Sequence, residues 1–117
     1  RYNMIDRGVE TSVLPQADAA GAGFVAFSPL AQGLLTGKYL HGIPEGSRMT
    51  HSGFLKPEVL TSELLSRIGE WNKEAESEGL TLAQYALRWI LRRPEVTSVI
   101  IGASSVEQLK SNLAAIK

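Results

Sequence analysis

The sequence predicts an α/β fold made of parallel βα units, and an incomplete one. Three observations lead there. Helical and strand-like patterns alternate along the chain, which is the mark of parallel βα architecture. Only two clear strands can be read in the 117 residues, too few to close a barrel or to hold an open sheet by themselves. Both strands run at their carboxyl ends into turns rich in glycine, serine and proline, where parallel α/β folds bind their ligands.

The elements follow in order. Residues 9–21 read as a short helix, with Val9, Val13, Leu14 and Ala17 at helical spacing and Gly21 and Gly23 as its stop. Phe24-Val25-Ala26-Phe27 is an apolar, aromatic run between glycine and Ser28-Pro29, the pattern of a buried strand ending in a turn. Residues 28–56 carry Gly33, Gly37, Gly42, Gly46, Gly53, Pro29 and Pro44 and read as a long loop, a feature that is usually functional or disordered. From Glu58 to Ser77, Leu60, Leu64, Leu65, Ile68 and Trp71 share one helical face, and Gly79 ends it. Thr81-Leu82-Ala83-Gln84 has capping-box spacing, in which hydroxyl and amide side chains satisfy the free amides of a helix start. The helix behind it carries Leu82, Tyr85, Ala86, Trp89 and Ile90 and stops before Pro94. Val96 to Ile101 is a second buried strand, Gly102-Ala103-Ser104 turns the chain, and residues 105–116 form a last amphipathic helix through Val106, Leu109 and Leu113. No internal repeat or low-complexity tract interrupts this order.

Composition removes several function classes. Twelve basic and twelve acidic residues balance, so no net field attracts nucleic acid or an anionic membrane. A hydrophobic share of 44% is that of a globular protein. The absence of cysteine excludes a disulfide framework, thiolate metal sites and cysteine nucleophiles. With only His41 and His51 besides, a structural zinc site is not expected. No stretch is long and apolar enough to cross a bilayer. The chain opens on Arg1-Tyr2-Asn3 rather than on methionine, a hint of a fragment.

The chemistry lies at the two strand ends. At the second, Ser105 to Gln108 and Ser104 to Glu107 both have capping-box spacing, which places small residues and free amides at a helix start. Such an end is an ordinary cap, and it also favours anions. At the first, Gly33-Leu34-Leu35-Thr36-Gly37-Lys38 invites comparison with a Walker A loop. It fails, being one residue short and having Tyr39 where a magnesium-binding hydroxyl belongs. Its glycines still let backbone approach a ligand, and Lys38 can meet a phosphate.

Together these two ends resemble a known family. Phe27-Ser28-Pro29-Leu30-Ala31-Gln32-Gly33 with Thr36-Gly37-Lys38-Tyr39 behind it, and Ile100-Ile101-Gly102-Ala103-Ser104-Ser105 followed by Glu107-Gln108-Leu109 and Asn112, resemble the seventh and eighth strands of aldo-keto reductases and the loops after them. The likeness covers essentially the whole chain. It is nearest to the branch that holds bacterial glyceraldehyde-3-phosphate-type reductases and potassium-channel beta subunits.

The resemblance implies the C-terminal part of a (β/α)8 TIM barrel, about its last two to three βα units, binding NADP(H) over the carboxyl end of the strands. It implies that Phe27 stacks on the nicotinamide. Ser28, Pro29, Leu30, Ala31, Gln32 and Gly33 would line the nicotinamide ribose and the pyrophosphate. Lys38 and Arg48 would face the phosphates. Gly102, Ser104, Gln108, Ser111 and Asn112 would hold the adenosine end, with Asn112 at the adenine. Plain structural roles stand beside these: Phe27 as core, Leu30 as packing. Many family members carry a cation at the positions of Gly102 and Gln108 for the 2′-phosphate. Neither is cationic here, which leaves Lys38 and Arg48 to supply charge.

The family's reaction is reversible hydride transfer between the nicotinamide and an aldehyde or ketone. A tyrosine is its general acid, helped by a lysine, an aspartate and a histidine. All four belong to the first half of the barrel, so no catalytic residue and no metal ligand is expected among these 117 residues. Tyr2, Tyr39 and Tyr85 lie outside that motif. The piece alone is expected to be inactive, the parent protein an NADP(H)-dependent oxidoreductase. A cytoplasmic location, a small carbonyl substrate, no nucleic acid or membrane partner and room for a homo-oligomer go with this. A non-catalytic NADP(H)-binding interaction subunit, as in the channel-beta branch, is the competing reading. A remnant that binds nothing is the third.

Overall fold

The computed structural model describes residues 1–36 and 61–116. The expectations for Lys38, Tyr39, Arg48, most of the long loop and the Glu58 helix start fall on 37–60, outside the described residues. The described elements are α1 (Val13–Ala19), β1 (Phe24–Ala26), α2 (Ser62–Ser77), α3 (Leu82–Leu91), β2 (Val96–Val99) and α4 (Val106–Leu113). Short 3-10 turns occupy Gly8–Thr11, Ala31–Thr36 and Ala114–Ile116.

The helix expected over 9–21 is two pieces. A 3-10 turn precedes α1, and Ser12 between them leaves the helical region at φ −126°, ψ −83°. Pro15 explains the break: it has no N–H to bond back to Thr11, and its ring restricts Leu14. It therefore fits only in a first helical turn, where its missing donor costs nothing. The next described helix runs from Ser62. Thr61 is extended, and its hydroxyl accepts from the Leu64 amide, which makes it an N-cap. The capping box of α3 forms as the spacing predicts, with Gln84 N to Thr81 Oγ1 and Thr81 N to Gln84 Oε1 both at 3.1 Å. The Gln84 amide nitrogen also donates to the Ser111 carbonyl at 2.8 Å, joining the start of α3 to α4.

The two strands pair in parallel, Val25 opposite Ser98 and Ala26 opposite Val99, with an irregularity between Phe24 and Val25. Thr97 is the extra residue there. Its hydroxyl accepts from the Phe24 amide at 3.1 Å, replacing a backbone acceptor that the bulge displaces. Gly23 lies against the same oxygen: a Cβ there would sit 2.7 Å from Thr97 Oγ1. Gly23→Ala is therefore expected to destabilise the fold by about 1–3 kcal/mol, through overpacking and the loss of this bond. Thermal unfolding checks it. Adding Thr97→Ala should recover part of the loss, and strict additivity of the two changes would show that the contact is not the cause.

Two clusters make the core. One lies between the sheet, α1 and α3: Tyr2, Leu14, Ala26, Ile90 and Val96. The other holds Leu34 and Leu35 against Met4, Ile68, Leu82 and Ala86. The α3 helix serves both, which is why its expected face of Leu82, Tyr85, Ala86, Trp89 and Ile90 is covered. The strands are shorter and barer than expected. Phe24–Phe27 reduces to Phe24–Ala26 and Val96–Ile101 to Val96–Val99. Val25 is 52% exposed, Phe27 50% and Ile100 60%, because the helices cover only one face of the sheet.

The last helix is also corrected. Val106, Leu109 and Leu113, expected to form its apolar face, are exposed, and the segment packs through Ser111 and Asn112 of the helix and Ala115 of the turn behind it. Polar contacts from α3 set this rotation: Gln84 bonds Ser111, and Arg88 Nε donates to the Ala115 carbonyl at 2.6 Å.

Candidate cofactor site

Parallel pairing brings both strand ends to one edge. The Ile100 amide donates to the Ala26 carbonyl at 2.8 Å, so Phe27 leaves its strand level with Ile100. The start of the chain joins the same edge from the other side, the Tyr2 amide donating to the Phe27 carbonyl at 3.3 Å.

The turn after β1 is strained. Ser28, Ala31 and Gln32 all have left-handed backbones, at φ 56°, 51° and 58°. Each such non-glycine residue costs about 1–2 kcal/mol. Gly33 follows at φ 97°, a conformation that suits only glycine. Neighbours hold this geometry in place. The Ser28 carbonyl accepts from the Ala31 amide at 3.2 Å and from Asn3 Nδ2 at 2.9 Å. The Leu30 carbonyl accepts from the amides of Gly33 and Leu35, and Thr36 Oγ1 donates to the Gly33 carbonyl at 2.7 Å. Pro29, Leu34 and Leu35 are buried. Part of the stretch expected to be loop is thus an irregular, kinked turn over Ala31–Thr36, anchored in the core by two leucines.

Within the turn, Gln32 Oε1 is buried with no hydrogen-bond partner among the described residues. A buried acceptor of this kind normally finds a donor. Phe27, five positions earlier, is half-exposed. An acceptor without a partner among the described residues and a half-exposed aromatic side chain suit a ligand that carries a ring and hydroxyl donors.

At the second strand end Gly102 is exposed, and a Cβ there would meet nothing within 4 Å. Ser105 caps α4, its hydroxyl accepting from the Gln108 amide at 3.1 Å. Gln108 Oε1 reaches past it to the Ser104 amide at 2.8 Å and hydroxyl at 2.9 Å. The two capping spacings in the sequence are therefore merged into one cap. It leaves the Gln108 amide nitrogen as the donor of that side chain. Ser111 is tied to Gln84. Asn112 is 8% exposed. Gly102, Ser104 and Gln108 thus stand on the open side of the edge, whereas Ser111 and Asn112 lie on the packed side of α4.

Neither described tyrosine of interest is a free proton donor. Tyr2 is fully buried, its hydroxyl 2.5 Å from Glu10 Oε2. Burial first and this carboxylate second push its pKa up. The Tyr85 hydroxyl donates to Glu74 at 2.6 Å, and that bond pushes its pKa up to about 12. Glu10 is held below the usual carboxylate range by its bond to Arg7. Among the described residues no group of acidic, histidine or cysteine side chains could hold a metal ion. No described helix is long and apolar enough to cross a membrane.

The sequence reading missed Asn3 and Thr97. Asn3 carried one usable signal, since asparagine bonds backbone amides two and three residues on to make a turn. Thr97 carried none, because a bulge is a property of the paired strand.

Comparison with known proteins agrees with the resemblance. The chain is 47% identical over 120 residues to L-glyceraldehyde 3-phosphate reductase of Escherichia coli (strain K12), covering 98% of this chain and 35% of that protein. It is 40% identical over 122 residues to a putative voltage-gated potassium channel subunit beta of Schizosaccharomyces pombe, covering 100% of this chain and 36% of that one. A probable channel subunit beta of Arabidopsis thaliana is 40% identical over 119 residues, with 98% and 36% covered. The chain therefore spans little more than a third of the length of these relatives. Residues 1–117 match the sequence profile of the aldo/keto reductase family along their whole length, and the chain belongs to that family.

Proposed function

We propose that these residues are the cofactor-gripping C-terminal part of a (β/α)8 barrel whose complete form reduces aldehydes or ketones with NADP(H). The family generally uses NAD(P)H. The observation that carries the reading is the shared edge: a strained turn with a half-exposed Phe27 and a Gln32 oxygen without a partner among the described residues, next to the strand that leads to Gly102 and Ser104. In this reading Phe27 and Ser28 to Gly33 hold the nicotinamide half. Gly102, Ser104, Gln108, Ser111 and Asn112 hold the adenosine half. The dinucleotide supplies a hydride when bound; the turn orients it and its buried leucines fix the turn. Residues 1–117 act as one unit of a cytoplasmic protein, and the proton donor comes from elsewhere in the barrel.

A second reading draws on the relatives named as channel subunits beta: a non-catalytic subunit with the same cofactor edge. An Asp, Tyr, Lys and His set elsewhere in the polypeptide separates the two.

Fluorescence titration of the complete protein with NADPH and NADH tests the cofactor reading. Wild type is expected to bind NADPH. Lys38→Ala and Arg48→Ala are expected to weaken NADPH more than NADH, since Gly102 and Gln108 bring no charge to a 2′-phosphate. Arg48 should matter more, because a guanidinium pairs with phosphate in two-pronged fashion. A wild-type protein that binds neither dinucleotide would overturn the reading.

A further inference from the structure

Asn3 is 1% exposed, and both polar atoms of its side chain are hydrogen-bonded. Its Oδ1 accepts from the amides of Ile5 at 2.9 Å and Asp6 at 2.7 Å, and its Nδ2 donates to the Ser28 carbonyl at 2.9 Å. Its own amide donates to the Asp6 carbonyl at 3.1 Å. The oxygen therefore closes a turn within residues 3–6, and the nitrogen reaches across 25 positions to a residue with φ 56°. Left-handed backbone at a serine persists only where neighbours over-determine it. Asn3 and the adjoining Tyr2 amide take hold of two successive carbonyls, those of Ser28 and Phe27. They thereby fix the peptide plane from which the half-exposed Phe27 ring projects and from which the Ala31–Thr36 turn begins.

We propose that Asn3 is a positioning residue for the cofactor edge: by clamping the Ser28 carbonyl it holds Phe27 and the 28–33 turn in the geometry that receives a nicotinamide dinucleotide. This rests on the cofactor reading above. Asn3 touches no ligand itself and acts through Ser28.

The variant that isolates the clamp is Asn3→Asp in the complete barrel. It has the same shape and keeps an oxygen for the Ile5 and Asp6 amides, but it sets a second oxygen against the Ser28 carbonyl. The dissociation constant for NADPH is expected to rise roughly tenfold, as for a buried bond replaced by a repulsive contact. The KM for the carbonyl substrate at saturating NADPH should stay unchanged, because the clamp acts on the cofactor edge and KM for the other substrate reads its own binding. A merely structural role would lower the melting temperature and leave NADPH affinity alone. Ser28→Gly provides the second readout, because glycine adopts φ 56° without a clamp. In the Ser28→Gly background the penalty of Asn3→Ser, which removes the clamp without setting an oxygen against the residue-28 carbonyl that glycine retains, should shrink to about threefold or less, the non-additivity expected of directly coupled residues. If Asn3→Asp fails to fold, the comparison of Asn3→Ser in the two backgrounds replaces it, since serine can also accept from the Ile5 and Asp6 amides. Wild-type binding with an unchanged affinity in the variant, or an equal penalty in both backgrounds, overturns the proposal. A wild-type protein that binds no NADPH overturns the cofactor reading and this proposal with it.

Discussion

Expressed alone, the 117-residue chain is expected to self-associate or to lose fixed packing, and to bind NADP(H) weakly or not at all. One face of its sheet is bare at Val25, Phe27 and Ile100. On α4 and the turn after it, Val106, Leu109, Leu113 and Ile116 make an exposed stripe at spacings of three and four, each between 41% and 67% exposed. Parallel sheets are ordinarily covered on both faces. The two described strands leave the outer edge of β2 without a strand partner among the described residues, and open edges template association. Contiguous apolar surface adds to the effect. A bound dinucleotide would also need walls that two strand ends do not provide. Sedimentation velocity and a nicotinamide-fluorescence titration on the isolated chain check both halves of this expectation. A folded monomer with micromolar affinity for NADPH would contradict it.

Leu35→Ala is expected to be the most damaging single truncation at the cofactor edge. Leu35 is fully buried and packs with Met4, Leu34, Ile68, Leu82 and Ala86. Loss of a buried leucine side chain costs about 2–5 kcal/mol, the larger values where surrounding helices cannot close the cavity. Here α2 and α3 are joined through a tight turn at Gly79, so collapse onto the hole is restricted. A domain is stable by only about 5–15 kcal/mol in total. The loss also falls on the anchor of a turn that carries three strained residues, so the Ser28–Gly33 geometry should relax before the fold melts. Urea denaturation of the complete protein, compared with its NADPH affinity, reads the two effects separately. Retained affinity at reduced stability would show that the turn does not depend on this anchor.

How much of this was legible in the sequence depended on whether the signal was local. The Thr81–Gln84 capping box needs only four residues, and it forms as spaced. The face of α3 was legible because that helix is covered on two sides. The face of α4 was misread: Val106, Leu109 and Leu113 announce a stripe, but periodicity does not say what covers it. Hydrogen bonds from Gln84 and Arg88 turned the helix the other way. Strand burial failed for the same reason at Val25 and Phe27. Parallel pairing was legible from the alternation of helix and strand, and it is observed. At the candidate site, the residues came from a likeness of motifs, and the geometry adds what motifs do not carry: left-handed backbones at Ser28, Ala31 and Gln32, and a clamp from Asn3 far away in sequence.

The double use of Gln84 limits what can stand in its place. In an isolated helix, glutamate and glutamine are near equivalents at this position, since either offers an oxygen to the first amide. Here the oxygen faces Thr81 and the nitrogen faces the Ser111 carbonyl. A glutamate would keep the first bond and turn the second into a repulsion between two acceptors, so a residue that local propensity treats as interchangeable is dictated by a helix 27 positions away.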